Sequence, residues 1–125
     1  MKHTFSALLI CTAVLIIPAA LAHHRWPVNM NVPVTVQGTV MDYDWRNPHP
    51  MITIEVINDD GTMEEWEIGG PATTRMEARG WNADTVKPGD MITGTGYQFL
   101  DGSKIIRLER VTLADGRELL VYARE

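Results

Sequence analysis

The sequence predicts an all-β fold with one short helix, a five- to six-stranded OB-like β-barrel whose helix falls between strands 3 and 4. Three observations carry this. Alternating or β-branched runs recur along the chain, and Asp60-Gly61, Asp101-Gly102 and Asp115-Gly116 stand between them as hairpin turns. The one helix-forming stretch separates the third run from the fourth. The first run is long and carries Gly38 at its centre, as a strand that bends to pair on both sides requires. An open meander or small sandwich would use the same elements, so closure of the barrel is the expectation that most needs structure.

Residues 1–22 are expected to be a secretory signal peptide. They join a positive start, Met1-Lys2-His3, to an apolar run from Phe5 to Ile17 and an Ala-x-Ala end at Ala20-Leu21-Ala22. The apolar run, broken at Pro18, is short of the ~20 residues that span a bilayer. The expected product is periplasmic or secreted, with no membrane span after cleavage. Removing 22 of 125 residues leaves 103, enough for one small core, and takes the only cysteine, Cys11, with it. Disulfides and thiolate metal sites are thereby excluded from the processed chain. Because the leader carries Lys2 and no acid, the formal charge of −5 becomes −6. An acidic domain lacks the basic face that phosphate backbones need, so no nucleic-acid partner is expected.

Residues 23–33 read as an extended lead-in, and 34–125 as the barrel domain. Residues 34–40 alternate apolar and polar, and the strand is expected to run to Trp45. Next comes Trp45-Arg46-Asn47-Pro48-His49-Pro50, where a generic turn would have sufficed. Its prolines fix their own φ and hold Asn47 and His49 extended, so the loop is stiff enough to aim side chains. Residues 51–57 and 62–68 form the next hairpin, with Trp66 and Ile68 on one face and Glu65 and Glu67 on the other. Gly69-Gly70-Pro71 breaks the strand, and residues 72–79 are expected to be helical, capped by Gly80. Residues 91–99 form the fourth strand, whose Gly94 and Gly96 invite close backbone approach or curling of the sheet. In residues 104–113 the apolar period slips between Leu108 and Val111, as a bulge would cause. Glu118 to Tyr122 reads as a last, edge strand.

Ala22-His23-His24, Gly38-Thr39-Val40, Trp45-Arg46-Asn47-Pro48-His49, Arg79-Gly80-Trp81, Lys87-Pro88-Gly89-Asp90 and Leu113-Ala114-Asp115-Gly116-Arg117 occur in that order. In these motifs the chain resembles a family of small exported bacterial proteins of unknown function. The resemblance implies an exported single domain and brings no established activity.

The residues themselves offer one specific chemistry. Cleavage after Ala22 would make His23 the amino terminus, whose amine and imidazole can chelate one ion. Nitrogen donors of this kind suit copper, and thioethers suit its reduced form. The expected metal set is His23, His24 and His49 with Met41 and Met51, which flank the rigid loop. The combination is similar in architecture and residue type to periplasmic copper chaperones, small OB barrels that use His, Met and Trp. The bland counterpart is a frayed tail, a His49 bonded to a backbone carbonyl, and methionines that mostly fill core. The other function class is a non-enzymatic envelope accessory or protein-interaction module. Trp45, Arg46, Asn47 and Trp81 would then contact a ligand or partner, with the edge strand available for docking. No catalytic constellation is present: Glu55, Glu64, Glu65 and Glu67 crowd one hairpin without spanning a pocket, and read as a solvated face.

Overall fold

The computed structural model describes residues 25–122. The chain forms β1 (Val28–Asp44), β2 (Met51–Ile57), β3 (Met63–Gly69), α1 (Thr73–Glu77), β4 (Met91–Phe99), β5 (Ile105–Thr112) and β6 (Glu118–Leu120). Every predicted strand is present, and the helix falls between β3 and β4. Hydrogen bonding orders the sheet β3-β2-β1-β4-β5-β6, and a further β3–β5 pairing joins its ends into a ring. All pairings are antiparallel except β3–β5, which is parallel over Glu67–Ile105, Ile68–Ile106 and Gly69–Arg107. The barrel is closed.

β1 serves two partners because it is long and because Gly38 sits where they meet. Thr39 lies opposite Glu55 of β2 and also opposite Met91 of β4. A Cβ at Gly38 would overlap the Glu55 carbonyl oxygen, so only glycine lets the two strands close at this point. β1 starts earlier than predicted. Val28 pairs with Phe99, and four residues then bulge out before Pro33 pairs with Tyr97. From Val28 on the lead-in is therefore a strand, held by pairing to a segment far along the chain, which local periodicity does not register.

The core contains Val36 and Val40 from β1, Ile52 and Ile54 from β2, Ile68 from β3, Ile92 from β4, and Ile106, Leu108 and Val111 from β5. Met76, Trp81 and Val86 reach it from the β3–β4 connection. Gly94 leaves the space that the Ile68 and Leu108 side chains fill. No polar or charged residue is buried among the described residues.

Two expectations are corrected. The helix is shorter than residues 72–79, spanning Thr73–Glu77. Ala72 offers no side-chain cap, and its place is taken from a distance by Asn47, described below. The methionines, expected mostly in the core, are mostly outside it. Among the described residues only Met76 is buried, and Met30, Met41, Met63 and Met91 are each more than half exposed. Their strand positions point outward: Met41 is the extra residue of a bulge between Val40 and Asp42, and Met63 and Met91 open their strands.

Candidate functional site

The loop between β1 and β2 is held at both of its functional side chains. Asn47 Oδ1 accepts from the Thr73 backbone N–H at 3.0 Å and from the Thr73 hydroxyl at 3.2 Å. One side chain thus caps α1 and pins the loop to it, doing the work that an N-cap residue normally does from within the chain. His49 Nδ1 lies 3.0 Å from the Gly70 carbonyl oxygen. A carbonyl only accepts, so Nδ1 carries the hydrogen, and in the neutral ring Nε2 keeps its lone pair. This is the arrangement in which an imidazole is oriented by one nitrogen and free to ligate through the other.

The partner of His49 is Trp26, not Trp45. The Trp26 and His49 ring centroids are 4.6 Å apart at an interplanar angle of 57°. Phe99 meets the other ring edge, its centroid 5.7 Å from that of Trp26 at 81°. Beneath them lies Gly69, where a methyl group would meet Trp26 at 2.5 Å and Met51 Sδ at 2.9 Å. Trp26 and the Met51 thioether therefore share the space that a side chain at Gly69 would fill. Arg25, Trp26, Pro27, Pro48, His49 and Phe99 line an open concavity of about 400 Å³ at this mouth.

Trp26, not Trp45, is the indole beside His49, and it shares the space over Gly69 with the Met51 thioether. Trp45 instead packs beside Tyr43, centroids 5.8 Å apart, at the margin of the core. Met41 projects from its bulge, and no described contact brings it to His49. Arg46 is exposed and paired with Asp44 at 2.7 Å, a surface interaction of little energetic weight. Trp81, expected at a docking face, is 2 % exposed and donates its indole N–H to the Leu120 carbonyl at 3.1 Å. It belongs to the core because the connection after α1 turns it inward, and it has no surface to offer a partner. Trp26 and Phe99 carried a weak signal: an aromatic beside a proline near the amino end, and an aromatic closing β4. Only the Val28–Phe99 pairing unites them.

His23 and His24 lie outside the described residues. Among the described residues no three His, Cys, Asp or Glu side chains cluster as a metal site. No helix among them is long and apolar enough to cross a membrane.

The acidic hairpin is a solvated face. Glu64 pairs with Lys104 at 2.8 Å, and Glu55 stands directly across from Glu65. Hydrogen bonding from Lys104 holds the Glu64 carboxyl below its ordinary 4.5. Asp60, bonded by the Thr62 hydroxyl and amide, Asp101, bonded by Ser103, and Asp115, bonded by Arg117, are likewise held below 3.8. Each is a depressed folded value, so the stability these groups contribute is complete above the unfolded values and is lost as pH falls through the folded ones. Urea midpoints are expected to hold from about pH 7 to about pH 5 and to fall below about pH 4. A midpoint that rises on acidification would contradict these pairings.

The profile of a family of unknown function, DUF6152, matches residues 9–106. No curated protein matches the chain. The family match spans all of β1 to β4, including the Asn-Pro-His loop, and the first two residues of β5. The chain belongs to this family of unknown function.

Proposed function

We propose that this is a small exported OB-type binding protein whose ligand is copper, taken at the mouth formed by Trp26, His49 and Met51. The observation that carries the reading is the His49 ring, oriented through Nδ1 by Gly70 and leaving Nε2 as a donor beside the Trp26 indole, which itself meets the Met51 thioether over Gly69. Imidazole and thioether together suit copper better than harder ions. Two donors are too few for tight binding, and the amino end of the processed chain would add the rest. Arg25 lines the same concavity as His49. His24 and His23 precede Arg25 by one and two residues in the sequence. In this reading His23 chelates through amine and ring, and His49 supplies a further nitrogen.

Isothermal titration of protein beginning at His23 tests it. Binding of Cu(I) or Cu(II) tighter than micromolar is expected, and one extra residue before His23 should weaken it by about tenfold or more. Weaker binding, or indifference to the added residue, would remove the amine from the site.

A further inference from the structure

The pairing of β4 with β5 slips between Thr95 and Gly96: Gly96 faces Leu108, and Thr95 faces Arg110, so Glu109 is the extra residue. Gly96 makes this slip feasible, since a Cβ there would overlap the Arg107 carbonyl oxygen. The bulge has a chemical consequence. Leu108 and Val111 point into the core, so the consecutive charged residues Glu109 and Arg110 are both turned to the outer face. Bulges re-aim side chains in this way beside binding sites.

The two charges have different fates. Glu109 is neutralised by Arg107, which binds it through Nε at 3.1 Å and through Nη2. The Arg107 guanidinium also lies 4.2 Å from the Tyr122 ring centroid and 5.9 Å from that of Tyr97, which locks it into the wall. Arg110 is only partly exposed and makes no ion pair or side-chain hydrogen bond among the described residues. It stands in a cross-strand row, Thr35–Thr95–Arg110–Leu120. The Thr35 and Thr95 hydroxyls are 3.0 Å apart, so one of the two hydrogens is left to donate outward. Thr35, Thr95, Tyr97, Glu109, Arg110 and Tyr122 are among the residues lining a groove of about 400 Å³. The groove shares no lining residue with the Trp26–His49 mouth.

We infer that this groove is a second binding site, which takes a small ring-bearing carboxylate. The Arg110 guanidinium, unpaired among the described residues, donates two N–H bonds to the carboxylate, the threonine hydroxyl donates a third, and the tyrosines flank the ring. A partly desolvated cation with no partner among the described residues is costly to keep, and an anionic ligand removes that cost. The groove, of about 400 Å³, has room for a single ring with its substituents. Aromatic acids and sugar acids share this chemistry.

Amide NMR titration with 4-hydroxybenzoate and with glucuronate separates those sources, with 4-hydroxybenzamide and methyl glucoside as uncharged controls. Saturable shifts centred on Thr35, Thr95 and Arg110 are expected with at least one acid and with neither control. Arg110→Gln should weaken binding by about tenfold or more while leaving the spectrum dispersed. Thr95→Val, which preserves shape and removes a hydroxyl, should weaken it several-fold. Three results would overturn the site: no saturable shift from either acid up to about 10 mM, equal shifts from the controls, or wild-type affinity in either folded variant.

Discussion

Trp81→Ala is expected to destabilise the domain by about 3–5 kcal/mol, the largest effect of any single truncation here. Trp81 is the bulkiest fully buried side chain, and it lies with Met76 and Val86 in the part of the core supplied by the β3–β4 connection. Its removal leaves a cavity that the surrounding strands, fixed by their hydrogen-bond ladders, cannot collapse to fill. It also leaves the Leu120 carbonyl without its indole donor. A domain of this size is held by roughly 5–15 kcal/mol in total, so the folded margin would largely disappear, with Tm lower by roughly 20 °C. Trp81→Phe separates the two contributions. It restores most of the apolar volume and not the donor, and should cost about 1–3 kcal/mol. Urea unfolding followed by circular dichroism measures both; equal losses in the two variants would show that volume is not what Trp81 provides.

His49→Ala is the variant with the largest expected effect on binding. If Nε2 ligates copper at the mouth, its loss should weaken binding by about hundredfold, ~2.8 kcal/mol. The same change deletes the hydrogen bond to the Gly70 carbonyl, which is worth about 1 kcal/mol to stability. The two readouts therefore part company: a large loss in titration calorimetry against a small shift in the urea midpoint. A variant that unfolds readily yet binds copper as tightly as the parent would make His49 a brace only. Trp26 gives an independent signal, because an indole in contact with the His49 ring is placed to be quenched by Cu(II). Trp26→Phe should remove most of that quenching while preserving the T-shaped packing on Phe99.

The same stacking bears on the loop itself. Its stiffness was legible from Asn47-Pro48-His49-Pro50, and the structure adds what the stiffness holds. Asn47 is committed to Thr73, and His49 to Gly70. Gly70 lies just after β3 and Thr73 opens α1, each more than twenty residues away. One end of the barrel is thereby tied to the start of its helix. The bland expectation for His49, a carbonyl bond, and the sharp one, a ligand nitrogen, turn out to be compatible, because they use different ring nitrogens.

How much of this could be read without coordinates follows from the range of each interaction. Strand identity, the three Asp-Gly turns, the bend at Gly38 and the bulge after Leu108 are written in neighbours one to four residues apart, and the sequence by itself determined them. The order of elements, with the helix between the third and fourth strands, was enough to name the barrel. Tertiary structure alone decided which side chains meet. Val28 pairs with Phe99, which brings Trp26 to His49; Gly69 carries no side chain, which lets Met51 come under the indole. Closure of β3 onto β5 and the inward turn of Trp81 depend on registers set across the whole sheet. A period of two records which face a residue occupies, and only the closed ring determines which residue stands across from it.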